Sequence, residues 1–144
     1  MQTLLTYLVE DNPIVRINLI ETLGEIAHLR ITAYAATQDE ASQWLTSHRA
    51  DWHLAIVDLF LKQGSGLGVL AACQARAPFQ KVVILSNYAT DDIRQRSAAL
   101  GADAVFDKST ELDSLMEYCI ERTGMLATAP DAAPRSGPRS PPAH

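Results

Sequence analysis

The sequence predicts an α/β fold: a doubly wound, five-stranded parallel sheet in the order 2-1-3-4-5, with helices on both faces. Three observations predict it. Strand-like apolar runs alternate with helix-spaced segments five times along the chain. The later runs are almost continuously apolar, as strands covered on both faces must be. Crossovers between parallel strands are right-handed, which makes a doubly wound order the natural arrangement.

The first strand is the run Leu4 to Val9, and it stops at Glu10-Asp11-Asn12-Pro13. Asn12 can cap a helix and Pro13 suits its first turn. That helix carries Val15, Leu19, Leu23 and Ile26 at helical spacing. The second strand is expected from Arg30 to Ala35. Thr37-Gln38-Asp39-Glu40 then reads as a capping box opening a helix through Trp44 and Leu45. The third strand is expected from His53 to Asp58 and is followed by a loop holding Gly64, Gly66 and Gly68. A third helix carries Leu67, Leu70 and Ala71. The fourth strand is Lys81 to Ser86. Thr90 caps a helix with Ile93, Ser97 and Leu100, which Gly101 ends. The fifth strand is expected from Asp103 to Asp107. Thr110 starts the last helix, where Leu112, Leu115, Met116, Cys119 and Ile120 repeat at i, i+3, i+4, i+7 and i+8. Such a pattern is flavodoxin-like.

Residues 1–124 are therefore expected to form one domain, a size that buries a sufficient core without staples. From Met125 to His144 the composition changes to Pro, Ala, Ser and Arg, with five of the seven prolines, and a disordered tail is expected there. Acidic residues outnumber basic ones, 17 to 12, and no basic stripe interrupts them. Direct nucleic-acid binding is thus not expected, because phosphate neutralisation needs clustered Lys and Arg. Cys73 and Cys119 lie far apart in apolar-periodic segments and read as two buried thiols, which suits a cytoplasmic protein. No secretory leader and no membrane span are expected. The four histidines, His28, His48, His53 and His144, show no ligand or triad spacing and read as surface or packing residues.

In an open parallel sheet, ligands bind beyond the carboxyl ends of the strands, where strand order reverses. Here that point lies between the first and third strands. Glu10 and Asp11 follow strand one, Asp58 ends strand three, Ser86 ends strand four and Lys108 follows strand five. Each has an ordinary reading when taken alone. Glu10 and Asp11 would favour the positive end of the following helix, and an Asp at a strand end is commonly a cap or a solvated loop residue. Their joint placement on one sheet edge favours chemistry. Three crowded carboxylates repel, and Mg2+, with its preference for hard oxygen ligands, relieves the conflict. One carboxylate can then act as a nucleophile toward a phosphoryl group. Lys108 and the metal would supply positive charge to the phosphoryl oxygens, and Ser86 a hydrogen bond.

These residues resemble the receiver domains of two-component response regulators, over roughly residues 1 to 124. The resemblance is carried by Val9-Glu10-Asp11-Asn12, Ile56-Val57-Asp58-Leu59, Gly64-Ser65-Gly66-Leu67, Val83-Ile84-Leu85-Ser86-Asn87, Gly101-Ala102-Asp103 and Phe106-Asp107-Lys108-Ser109. It implies that Asp58 is the phosphoacceptor. Glu10, Asp11 and Asp58, with the backbone carbonyl of Phe60, would hold Mg2+. Ser86 would be the switch hydroxyl and Lys108 the lysine that contacts the phosphoryl group. The donor would be a phosphohistidine on a sensor histidine kinase or phosphotransfer protein. The chain would then act as a stand-alone signalling protein rather than an enzyme, through an unknown downstream protein and with possible homodimerisation on phosphorylation. A surface including Arg94, Val105, Glu111 and Tyr118 would be read by that partner.

The chain departs from the family at several places. Lys62 and Ser109 stand where the family often carries proline, so a cis bond after Lys108 is not assumed. Val105 replaces the usual aromatic switch residue, and Phe106 falls on the opposite strand face. Phe60 and Tyr88 flank the site and would shield a phosphoryl group from water. A phosphatase with an aspartyl nucleophile would need an acid two residues after Asp58, where Phe60 stands. A pseudo-receiver that binds without phosphorylation is the alternative that Val105 favours and the intact carboxylates and Lys108 oppose.

Overall fold

The computed structural model describes residues 2–128. In chain order the elements are β1 (Leu4–Val9), α1 (Pro13–Gly24), β2 (Leu29–Ala35), α2 (Gln38–Ser47), β3 (Leu54–Asp58), α3 (Gly66–Ala72), β4 (Lys81–Ser86), α4 (Asp91–Ala99), β5 (Ala104–Asp107) and α5 (Leu112–Thr128). The five strands pair in parallel in the order β2-β1-β3-β4-β5, as the alternation of elements predicts.

Local chemistry starts the helices. The Asn12 side chain accepts hydrogen bonds from the Ile14 and Val15 N–H groups, with Pro13 in the first turn. Thr37 Oγ1 accepts from the Glu40 N–H at 3.1 Å. The Glu40 carboxylate reaches back to the Ala36 N–H at 3.2 Å, one residue earlier than a standard capping box. Ser65 and Thr90 cap α3 and α4 through their hydroxyls. Gly101 follows α4 with φ +100°, a conformation that glycine adopts without strain.

Strand alternation sorts the core into two layers. Tyr7, Val9, Ala55, Val57, Val82 and Ile84 pack with Ala41 and Leu45 of α2 and Val69 and Leu70 of α3. Leu4, Leu8, Leu54, Ile56, Val83 and Leu85 pack with Leu19 and Leu23 of α1 and Leu115 and Cys119 of α5. The register of β1 and β2 shifts after Thr6, which pairs with Ile31 while Tyr7 pairs with Ala33. Thr32 is the extra residue, a bulge in the edge strand. Ahead of it, Leu29 and Ile31 face the α1 and α5 layer; after it, Ala33 and Ala35 face the α2 layer.

His53 completes the join between β1 and β3 from just outside the strand. Its Nδ1 accepts the Leu5 N–H at 2.9 Å, and its backbone N–H donates to the Leu5 carbonyl at 2.8 Å. The ring is 4% exposed and packs edge-on to Phe79. His48 stacks on Trp44, which stacks on Tyr7. Both histidines are thus packing residues, as expected, while His144 lies outside the described residues. Cys73 and Cys119 are buried and unbridged. Burial pushes the Cys119 thiol up to about 12, so it is an inert packing group.

Several boundaries differ from the sequence reading by one residue, a scatter usual at element ends. β2 begins at Leu29 rather than Arg30, β3 at Leu54 rather than His53, and β5 at Ala104 rather than Asp103. Ile26 lies beyond α1 but still packs in the α1 and α5 layer. The larger correction concerns α5. It starts at Leu112 rather than Thr110 and continues through Thr128, four residues into the segment expected to be tail. Gly124 inside a helix costs about 1 kcal/mol. Burying Leu126, which is 4% exposed in the α1 and α5 layer, contributes roughly 2 kcal/mol and outweighs it. The rest of the expected tail, residues 129–144, lies outside the described residues. Among the described residues no helix is long and apolar enough to cross a membrane.

Candidate functional site

The carboxyl ends of β1, β3 and β5 bring Glu10, Asp11, Asp58 and Lys108 together. Carboxylate oxygens of Glu10, Asp11 and Asp58 lie within 4.8 Å of one another. The Lys108 ammonium lies 2.6 Å from Glu10 Oε1 and 2.8 Å from Asp58 Oδ1, bridging the two. Glu10 is 1% exposed and Asp58 6% exposed, so these are charges in a low-dielectric setting rather than a solvated cluster.

Backbone donors hold the Glu10 and Asp11 carboxylates. Glu10 Oε2 accepts the Asn12 N–H at 3.1 Å, and the Glu10 carbonyl accepts from the Arg16 guanidinium at 3.0 Å. Arg16 also lies over the Tyr34 ring, 4.6 Å from its centroid. Asp11 Oδ2 accepts the Lys62 N–H at 2.6 Å, which ties it to the loop after β3. The Lys108 N–H donates to the Ser86 carbonyl at 2.8 Å, fixing the β5 end against the β4 end.

Burial pushes the Asp58 carboxyl up to about 6, and the charges of Glu10 and Asp11 add to the rise, while Lys108 opposes it. Burial alone would lower Lys108, but its hydrogen bonds to Asp58 and Glu10 outweigh that and hold it above its ordinary value. Asp107, beside the site, is lowered to about 2 by the Ser109 hydroxyl and the N–H groups of Ala89 and Ser109. It ties the β5 end to the loop after β4.

A cavity of about 650 Å3 opens over these groups. Glu10, Asp11, Asp58, Phe60, Asn87 and Lys108 line its acidic end, and it continues between α1 and α5 past Leu19 and Met116. Ser86 does not line it. Ser86 is fully buried, and its hydroxyl accepts the Tyr88 N–H at 3.3 Å. Phe60 reaches the cavity while 64% exposed, whereas Tyr88, 77% exposed, does not line it. Of the sequence-predicted residues, the three carboxylates, Phe60 and Lys108 are therefore assembled, and Ser86 sits one layer below. Asn87 lines the cavity although the sequence marked it only as part of a motif.

The site suits a divalent metal by the chemistry of its donors. Three carboxylates face one ammonium, and the charge left over is what a hard dication with oxygen ligands neutralises. Glu10, Asp11 and Asp58 could hold it. Beyond the cavity, Arg94 donates to the Val105 carbonyl at 3.0 Å and pairs with Glu111 at 2.8 Å, joining α4, β5 and the segment before α5. Val105 packs in the α2 layer, while Phe106 faces α5 and meets Tyr118 edge-on, on the opposite face as alternation predicts.

Known proteins share this architecture. The chain is 28% identical over 96 residues to the DNA-binding transcriptional activator DevR/DosR of Mycobacterium tuberculosis, covering 67% of this chain and 43% of that protein. It is 29% identical over 77 residues to the acid tolerance regulatory protein ActR of Rhizobium meliloti, covering 54% and 40%. It thus spans less than half the length of these curated relatives. In structure it is similar to a LuxR-family two-component response regulator from Aurantimonas, with a TM-score of 0.75, 21% identity, and coverage of 91% of this chain and 93% of that one. Residues 6–120 match the family described as the response regulator receiver domain. A match over most of the chain, joined to this sheet order, shows that the protein belongs to the response regulator receiver domain family.

Proposed function

We propose that Asp58 accepts a phosphoryl group from a phosphohistidine on a sensor histidine kinase or phosphotransfer protein, with Mg2+ bound by Glu10, Asp11, Asp58 and the Phe60 carbonyl. The observation that carries this reading is the Lys108 ammonium shared by Glu10 and Asp58 at the mouth of a cavity large enough for a phosphoryl group. An Asp58 oxygen attacks phosphorus, and the bond from phosphorus to the donor nitrogen breaks. Phosphoryl transfer is mostly positioning and charge stabilisation. Mg2+ would supply positive charge at the transferring oxygens. Lys108 supplies another, by moving from the Asp58 oxygen toward the new phosphoryl oxygen.

Ser86 would act as the switch hydroxyl by giving up the Tyr88 N–H and turning toward the phosphoryl group. Because Lys108 is bound to the Ser86 carbonyl, both movements bear on the ends of β4 and β5. The link from Arg94 to Val105 and Glu111 would carry the change to the surface of α4, β5 and α5, where a downstream protein or a second copy reads it. The protein works by signalling, and autodephosphorylation of Asp58 resets it.

The test is incubation with a small-molecule phosphodonor and Mg2+, followed by intact mass measurement. Wild type gains one phosphoryl mass; Asp58→Ala gains none, and chelation of the metal prevents labelling. An unlabelled wild type under conditions that label another receiver would overturn the proposal in favour of a phosphorylation-independent binding module.

A further inference from the structure

Gln38 opens α2, on the far side of the loop that follows Asp58, and its side chain is built into that loop. Its Oε1 accepts the Ser65 N–H at 2.9 Å, and its backbone N–H donates to the Gln63 carbonyl at 3.0 Å. The next residue repeats the exchange: the Asp39 N–H donates to Gln63 Oε1 at 3.2 Å, and Gln63 Nε2 donates to Asp39 Oδ2 at 3.3 Å. The slot is walled by glycine. A methyl group added at Gly64 or Gly68 would overlap the Gln38 side chain, and Gly64 has φ +83°. The loop is short and closed, with Phe60 bridged to Ser65 and the Gly66 N–H on the Leu59 carbonyl at 2.8 Å. At its other contact, the Lys62 N–H holds the Asp11 carboxylate at 2.6 Å. One closed turn therefore has Gln38 on one side and a proposed metal ligand on the other.

We infer that Gln38 is a positioning residue for the acidic centre: it seats the loop 60–66 so that the Lys62 N–H orients Asp11 and the Phe60 carbonyl faces the metal. The inference rests on the metal role proposed above for Asp11 and Phe60. Groups that orient a metal's ligands commonly change affinity by about tenfold or more when removed. Gln38 touches no reacting atom and acts only through the loop.

The experiment titrates the whole chain with Mg2+ alone and follows the Lys62 and Ser65 amide resonances. Gln38→Ala is expected to need about tenfold more Mg2+ for half-saturation and to lose protection of the Ser65 amide against exchange without metal. Its maximal labelling rate at saturating Mg2+ should stay close to wild type. Gly68→Ala alone should show the same defect, because its methyl meets Gln38. Gln38→Ala/Gly68→Ala should be no worse than Gln38→Ala, because the methyl then fits the vacated space. Gln38→Glu, which keeps an acceptor oxygen, should restore Ser65 protection. Equal Mg2+ midpoints for wild type and Gln38→Ala, or additive defects in the double variant, would overturn the inference and leave the proposed function standing. Failure of wild type to bind Mg2+ would overturn both.

Discussion

Acid should unfold this protein in part through one ring, His53. Burial lowers its pKa to about 4, against an ordinary value of about 6.5. Nδ1 accepts the Leu5 N–H, so the neutral ring carries its proton on Nε2, which is buried without a hydrogen-bond partner among the described residues. A second proton would have to enter at Nδ1, breaking the bond to Leu5 and charging a buried group. The folded pKa lies below the unfolded one, so between the two values the unfolded chain binds more protons. The contribution is complete above pH 6.5 and is lost as pH falls toward 4. Its full size is about 3 kcal/mol, from 1.36 kcal/mol per unit, and about 2 kcal/mol is gone by pH 5. Asp58, raised to about 6, has the opposite sign and gains stability as pH falls, so the measurement must be a difference. Urea unfolding of wild type and His53→Asn at pH 7.5 and pH 5 isolates the ring. Asn keeps an acceptor near the Nδ1 position but does not titrate. The variant is less stable at pH 7.5, yet it should lose about 2 kcal/mol less than wild type on acidification. Parallel losses in the two proteins would refute the argument.

Three other perturbations have definite outcomes. Lys108→Ala leaves Glu10 and Asp58 buried without their cation; at pH 7.5 without metal it should cost about 3 kcal/mol in urea unfolding, and added Mg2+ should recover part of it. Phe60→Ala should speed loss of phosphoryl label from Asp58 about fivefold, or ~1 kcal/mol of barrier, with Tyr88→Ala smaller because only Phe60 lines the cavity. Equal effects would contradict that assignment. Leu126→Ala should cost about 2 kcal/mol by thermal or urea unfolding. A neutral result would remove the reason given for the longer α5.

Much of the fold is written along the chain because parallel strands covered on both faces leave continuous apolar runs, as Val82 to Leu85 do. Asn12, Thr37 and Thr90 mark helix starts by local chemistry that needs no knowledge of distant residues. The end of α5 was hidden because Gly124 and the nearby prolines resemble a stop, while the burial of Leu126 depends on α1 and the sheet. The same division holds at the site. Glu10, Asp11, Asp58 and Lys108 could be located as strand ends, since sheet order alone brings strand ends together. The hold of Lys62 on Asp11 and the seat of Gln38 against Ser65 are contacts across the fold. Residue spacing carries no signal for them.

The extra residue at Thr32 gives β2 a change of parity. Odd-numbered side chains serve one helix layer in the first half of the strand and the other layer in the second half. Were Thr32 instead drawn into the ladder opposite Tyr7, one half of the strand would have to slip by a residue. If the second half slipped, Tyr34 would swing toward the α2 layer, where Ala33, Ala35 and the fully buried Ala41 now meet with small side chains. The ring would also leave the Arg16 guanidinium, and with it the group that grips the Glu10 carbonyl. A strand at the rim of the sheet, remote in sequence from every acidic residue of the pocket, thereby sets the floor on which the first of them stands.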